Sequence, residues 1–437
     1  MIILNYLAIT INYCKVVIWI VWKEKCIMYI KHNFFDMQFD DKLKELIETE
    51  YSNISCYANL IGSANYAFPS VLKALDTPFN MNPAEGSIGN RYFPSCSSID
   101  QLELAGDYLI KKLFNLNNDY FSNLEPHSGT QANQIVYNAV LNVGDTVVAM
   151  DSKSGGHVSH HFFLKKYYNL IEYGVTEDEV IDYDNIEYLC KTYRPKLLIA
   201  GCSSYPRQVN YKIIGEICQK YNVKLLADIS HTVIYVINKD HVSPFDYADF
   251  VTFTTHKTTR GIRGGIIIFK KNHRSSIEKS VFPYMQGAPK FNEILAKVLM
   301  LNELCNLDIS KYVKTIQSIT NEFVKTFKRN DFQLYTNGSD MHLITIDVSK
   351  NQLTGRECEE LLKDQYILVN RNSLPNDPLG ASITSGIRMG TLSLATLDMK
   401  KEDYQLILDI IVRTIKYKKI IDNDIVKNVM SRYEIIY

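Results

Sequence analysis

No Cys-x-x-Cys pair occurs among the nine cysteines (Cys14, Cys26, Cys56, Cys96, Cys190, Cys202, Cys218, Cys305 and Cys358), and their spacing suits neither a disulfide framework nor a zinc site. They read as reduced, mostly buried thiols of a cytosolic protein. Charge of one sign is not in excess: 48 Lys and Arg balance 48 Asp and Glu, so nothing recruits nucleic acid or another polyanion. Internal repeats and low-complexity linkers are absent, which excludes a solenoid and a string of flexibly tethered modules. What the chain does have is length and apolar mass, with 437 residues, 46% hydrophobic and 11% aromatic. That suits two or three domains, or one large α/β body with an appendage, and excludes a peptide or a lone DNA-binding module.

One long apolar run is present. Residues 2–22, IILNYLAITINYCKVVIWIVW, approach the length of a membrane span. Asn5, Asn12 and Lys15 interrupt the run, no small-residue cleavage site follows it, and Met28 or Met37 offers a later start. Residues 1–37 are therefore read as an extension upstream of the functional body rather than as an anchor, and a cytoplasmic location is expected.

Downstream of about residue 100, short β-branched runs alternate with amphipathic stretches, the pattern of βαβ units on a mainly parallel sheet. TVVAMD (146–151), KLLIAG (196–201), KLLAD (224–228), FVTFTT (250–255) and GIIIFK (265–270) are the predicted strands, with a helix over 211–221. Residues 291–330 carry apolar positions at helical spacing. MHLITIDV (341–348), a helix near 357–364, GIRMGT (386–391) and a last helix over 401–418 predict a smaller α/β unit packed firmly on the first.

The segment TTHKTTRGIRGG (254–265) places Lys257 just past a predicted strand, followed by a glycine-rich turn. A turn lysine alone is a solvated charge, but LLADISH (225–231) sets Asp228 at the carboxyl end of another strand, where ligands of open α/β sheets sit. A lysine able to form a Schiff base, with an aspartate to keep a pyridine nitrogen protonated, is what pyridoxal phosphate chemistry requires. EPHSGTQAN (125–133) puts Ser128, Gly129 and Thr130 before a helix, as a plain N-cap or as a phosphate cradle. SGGHVSHH (154–161) offers His157 as a ring to stack on the cofactor, and Arg388 in ITSGIRMGT offers a fork for a substrate carboxylate.

These segments, together with LIGSANYAF, AEGSIGNRYF, NLEPHSGTQAN, RPKLLIAGCSSY, VFPYMQGAP and NRNSLPNDP, resemble serine hydroxymethyltransferases in order and spacing over roughly residues 38–415. The resemblance implies a pyridoxal phosphate transferase of fold type I. An N-terminal arm (38–95) would precede a large cofactor-binding domain with a seven-stranded, mainly parallel sheet (96–290), followed by a connecting helix and a small C-terminal α/β domain (291–437). It implies Lys257 as the Schiff-base lysine, Asp228 on the pyridine nitrogen, and His157 stacked over the ring. His231 and Ser203 match positions around the ring and its hydroxyl side, while Ser128, Gly129, Thr130 and His256 match those that hold the phosphate. Gly287 matches a loop reaching the phosphate of a neighbouring subunit, Ser63 and Arg388 the carboxylate-binding pair, Glu85 the active-site glutamate, and Asn372 the segment along the pterin of tetrahydrofolate. The implied reaction interconverts serine and glycine with tetrahydrofolate as one-carbon acceptor, in a homodimer or homotetramer with shared active sites.

The chain departs from the family's pattern near its first active-site stretch. Ala64 stands where a glutamate is usual, Pro83 replaces a tyrosine, and Phe93-Pro94-Ser95 replaces Tyr-Gly-Gly. Phe93 fills the tyrosine's volume but neither relays a proton nor donates a hydrogen bond. The alternative is therefore a folate-independent aldolase or transaldolase of a β-hydroxy amino acid using another aldehyde. A third reading, a cofactor-binding protein without turnover, conflicts with the retention of Lys257, Asp228, His157 and Arg388 together.

Overall fold

The computed structural model describes residues 40–421 and 423–435, so the expectations for residues 1–37 lie outside them. The chain divides into two units, residues 1–54 and 55–437. The described part of the first is almost wholly helix α1 (Asp41–Cys56), which starts in that unit and runs across the boundary.

Within residues 55–437 the fold is carried by a seven-stranded sheet. Its strands are β1 (Tyr120–Asn123), β2 (Thr146–Met150), β3 (Asn169–Tyr173), β4 (Leu197–Ala200), β5 (Lys224–Asp228), β6 (Phe250–Thr254) and β7 (Gly265–Lys270), in the spatial order β1-β7-β6-β5-β4-β2-β3. β2 to β6 pair in parallel, whereas β7 is antiparallel to both β6 and β1. Parallel strands need cover on both faces, and β4, Leu-Leu-Ile-Ala, is buried at every position. The longer helices of this region are α2 (Ser97–Phe114), α3 (Gly129–Val140), α4 (Tyr183–Tyr193) and α5 (Tyr211–Tyr221). Ala132, Ile135 and Val136 of α3 share one core with Val147, Ala149, Leu197, Ile199, Leu226 and Ile267, alternate residues on one face of the sheet. α4 and α5 start where Asp182 and Asn210 accept hydrogen bonds from Asn185 and Ile213 backbone N–H groups, and end on residues in the left-handed region, Arg194 (φ 47°) and Asn222 (φ 56°). The five predicted strands are all present; β1 and β3, at the two edges, are additional.

The chain then runs through α6 (Phe291–Asn306) and α7 (Ile309–Arg329). The stretch predicted as helical over 291–330 is thus two helices, because Leu307 is extended (ψ 139°) and Asp308 caps α7 by accepting from the Lys311 N–H. Beyond them β8 (Gln333–Leu334), β9 (Leu343–Asp347), β10 (Asn370–Asn372) and β11 (Gly386–Gly390) form an antiparallel sheet in the order β8-β9-β11-β10. α8 (Gly355–Lys363) opens with a Thr354/Glu357 capping box, and α9 (Lys401–Tyr417) follows. A short helix, Asn423–Met430, follows the last helix that the sequence pattern predicts. The residues after it are tied back to α9, since Arg432 and the Tyr433 hydroxyl both donate to Asp403. Among the described residues no helix is long and apolar enough to cross a membrane.

Candidate active site

The carboxyl ends of β4, β5 and β6 open onto a cavity of about 430 Å³. β5 ends on Asp228 itself, Lys257 follows β6 by three residues, and Ser203 follows β4 by three. The cavity is lined by Ser63, Ser128, Gly129, Thr130, His157, Ser203, Asp228, His231, His256, Lys257, Asn372 and Arg388. Its floor is the sheet and its far wall comes from the small antiparallel sheet, through Asn372 of β10 and Arg388 of β11.

Asp228 is held as a carboxylate. Burial alone raises its pKa, but hydrogen bonds from His160, Ser230 and Asn133 outweigh that and keep it below the usual carboxylate range. Asn133 Nδ2 reaches Oδ2 at 2.8 Å, Ser230 Oγ reaches Oδ1 at 2.6 Å, and His160 Nε2 lies 3.3 Å from Oδ2. Thr252 fixes the amide of Asn133 by donating to its Oδ1 at 2.6 Å. Neither Asn133 nor His160 is singled out by sequence pattern, because the Asp228 that each meets lies far along the chain.

Lys257 is buried, and its Nζ is 3.0 Å from Nε2 of His231. Burial lowers the amine to about 8, with Asp228 opposing and Arg388 adding to the shift. The backbone of Lys257 is also fixed: Asn65 donates to its carbonyl at 2.7 Å, and Arg260, in the same turn, exchanges hydrogen bonds with the backbone of Tyr66 and Phe68. His157 accepts from the Ser159 N–H through Nδ1 and is pushed down to about 3, first by burial and then by His160 and Lys257. It is therefore a neutral, flat ring on the cavity wall.

The other end of the cavity is built for an anion. Ser128 caps α3 by accepting from the Gln131 N–H, which leaves the first N–H groups of the helix toward the cavity. Glycine at 129 allows close approach to β6, since a Cβ there would stand 2.5 Å from Thr254 Cγ2 and force a shift. Thr254 Oγ1 and His256 Nδ1 are buried and have no hydrogen-bond partner among the described residues. Unspent donors at one end, a carboxylate and a low-pKa amine at the other, and a neutral imidazole between them fit a phosphorylated pyridine aldehyde. Ser128, Gly129, Thr130, Thr254 and His256 would hold its phosphate, Asp228 its ring nitrogen and Lys257 its aldehyde carbon.

Arg388 completes the site. Its Nε and Nη2 both donate to Asn370 Oδ1, at 3.2 and 3.1 Å, and Nη1 donates to the Ser203 carbonyl at 2.6 Å. Three of five N–H donors are thereby spent, and one each on Nη1 and Nη2 remains. Arg388 forms no ion pair with a carboxylate among the described residues, and burial lowers it to about 10. Ser63 is brought close by Gly62, where a Cβ would meet Leu343 Cδ2 at 2.7 Å and Arg388 Nε at 2.8 Å. The loop after Asn372 is organised by Asp377, which accepts from Leu374, Leu379 and Ser385 backbone N–H groups and from the Ser385 hydroxyl.

Glu85 and Gly287 do not line this cavity. They lie beside each other instead, a Cβ on Gly287 falling 3.7 Å from Glu85 Oε1. Tyr92 near them is 74% exposed and Phe93 is 39% exposed. A comparison with protein families matches residues 37–411 to the family described as Serine hydroxymethyltransferase.

Proposed function

The chain belongs to the serine hydroxymethyltransferase family, pyridoxal phosphate-dependent transferases of fold type I, and we propose that it interconverts serine and glycine with tetrahydrofolate as the one-carbon acceptor. The observation that carries the reading is Arg388, a half-buried guanidinium whose side edges are occupied by Asn370 and Ser203 and whose remaining N–H pair suits the two oxygens of an amino-acid carboxylate. Lys257 lines the same cavity, so a substrate held at Arg388 has its amino group beside the residue that carries the cofactor.

Pyridoxal phosphate, when bound, supplies an electron sink that stabilises negative charge on the α-carbon of an amino acid. The chain's residues select which bond breaks and move the protons. Asp228, kept anionic, holds a proton on the ring nitrogen. His157 would face the ring from one wall, and Arg388 with Ser63 would set the angle of the substrate carboxylate and so which α-carbon bond is aligned for cleavage. Lys257, with its amine lowered to about 8, would hold the cofactor's aldehyde carbon and, as a free amine, could take a proton from the α-carbon of a substrate. Glu85 is proposed to act in the site of a neighbouring subunit on the substrate hydroxyl or the folate-bound carbon, and Gly287 to reach that subunit's phosphate. Asn372 and its loop are proposed to lie along the pterin.

A second reading is favoured by Phe93-Pro94-Ser95 and Pro83, which remove hydroxyl donors and flexible glycines from the stretch that follows and precedes Glu85. On that reading the aldehyde differs and folate has no part. Incubation of the holoenzyme with serine, with and without tetrahydrofolate, separates the two. Glycine formed in equal amount with one-carbon-loaded folate supports the proposal. Glycine released from a bulkier β-hydroxy amino acid at the same rate with or without folate would replace it with the aldolase reading.

A further inference from the structure

Behind His231 stands a second buried imidazole. His342 immediately precedes β9 in the small sheet and is fully buried, its ring 5.4 Å from that of His231. Its Nε2 lies 3.2 Å from the carbonyl oxygen of Gly62 and 3.2 Å from Nδ1 of His231, while its Nδ1 is 3.5 Å from the Tyr235 hydroxyl.

With Lys257 as the free amine, these contacts admit one arrangement of protons. A carbonyl oxygen only accepts, so Nε2 of His342 carries a hydrogen. If it did not, two lone pairs would face each other at 3.2 Å. His342 is neutral, pushed down to about 3 by burial against a smaller opposing effect of the Gly62 carbonyl, so its Nδ1 is bare and the Tyr235 hydroxyl donates to it. The Nε2–H of His342 is shared between Gly62 and Nδ1 of His231, so the latter accepts. Burial beside Lys257 keeps His231 neutral as well, and its one proton must then sit on Nε2, 3.0 Å from Lys257 Nζ.

We propose that His342 is a positioning residue that holds His231 in the Nε2–H tautomer whenever the Lys257 amine is unprotonated, so that His231 then donates into the cavity at the Lys257 end. The consequence is directional. A donor at that point stabilises a lone pair, whether on the Lys257 amine or on an oxygen of a ligand placed there, and disfavours a protonated group. Because Gly62 precedes Ser63 and His342 precedes β9, the lock also ties the tautomer to the docking of the small sheet against the segment that bears Ser63. The assignment stands on hydrogen bonds within the chain and goes beyond the proposed reaction, and it holds whichever aldehyde the enzyme uses.

The test is ring-¹⁵N NMR of the cofactor-free protein labelled in histidine, with His231 assigned by its loss in His231→Asn. The wild type should show His231 as the Nε2–H tautomer above about pH 8, where the Lys257 amine is free to accept. His342→Gln, whose amide N–H donates to the same two acceptors, should keep it. His342→Phe, which has no donor, should lose it, giving a tautomer mixture or the Nδ1–H form. An Nδ1–H or doubly protonated His231 in the wild type above about pH 8 overturns the proposal, and that result does not need any His342 variant to fold. An unchanged Nε2–H signal in a folded His342→Phe protein overturns it equally.

Discussion

Asn370 accepts two hydrogen bonds from Arg388 on a single oxygen, at 3.2 and 3.1 Å, and so turns the guanidinium's free end into the cavity. Asn370 and Arg388 face each other across β10 and β11, in directly paired positions, so the strand register itself aims the substrate-binding fork.

Removing that acceptor should therefore loosen substrate binding more than cofactor binding. Asn370→Ala leaves two N–H donors of the half-buried Arg388 guanidinium without their acceptor, about 1.5–3 kcal/mol for a bond to a charged group, or a rise in KM for serine of roughly tenfold or more. Asn370→Asp keeps the geometry but puts a carboxylate on the guanidinium, and should raise KM similarly by competing with the substrate's own. Steady-state kinetics with a parallel titration of cofactor affinity checks both variants; equal losses in cofactor and substrate affinity would contradict the assignment.

Gly129→Ala should weaken cofactor binding while leaving the fold intact. The new methyl would meet Thr254 Cγ2 at 2.5 Å, and overpacking of this kind costs about 1–3 kcal/mol. Alanine is at the same time a better helix residue than glycine. Equilibrium titration with pyridoxal phosphate should show a Kd raised by roughly tenfold, with the apoprotein's Tm within a few degrees of wild type.

Capture of the cofactor should depend on pH through Lys257. Its amine is lowered from the ordinary 10.5 to about 8 by burial, and only the neutral form attacks an aldehyde. Below about pH 8 the capture rate of the apoprotein should rise close to tenfold per pH unit, then level off above it. A stopped-flow series over pH locates the inflection; one near the value of a solvated lysine would contradict the placement of this side chain.

The parts of the site that a sequence reader finds are those with a local signature. Asp228 and Lys257 each follow an apolar run whose length and β-branching announce a buried strand, and Ser128-Gly129-Thr130 is a helix start visible in its residue types. The edge strands β1 and β3 were not legible, for Tyr-Phe-Ser-Asn and Asn-Leu-Ile-Glu-Tyr are half-exposed and lack the continuous apolar run that marks the inner strands. The second layer was hidden for another reason. Asn133 meets Asp228 across 95 residues, His342 meets His231 across 111, and Asn65 meets Lys257 across 192. Such pairs leave no periodicity, because their partners are chosen by the fold. The break at Leu307–Asp308 was missed since apolar spacing continues through it, and only the capping role of Asp308 shows the interruption.

Glu85 and Gly287, together but outside the Lys257 cavity, are proposed to complete a second subunit's site. Co-expressed Lys257→Ala and Glu85→Gln chains, each inactive alone, should regain activity when mixed. Each heterodimer would hold one site with neither substitution, for roughly half the wild-type activity per dimer. No recovery in purified heterodimers would place Glu85 outside the neighbour's chemistry.

Removal of the α-proton of an amino acid by this enzyme is proposed to be coupled to folate, and exchange of a glycine α-hydrogen for solvent deuterium measures it directly. The holoenzyme should exchange glycine slowly alone and at least tenfold faster when tetrahydrofolate is added, with the enhancement lost in Arg388→Ala. Rapid exchange that is indifferent to folate would contradict the claim and leave the aldolase reading in its place.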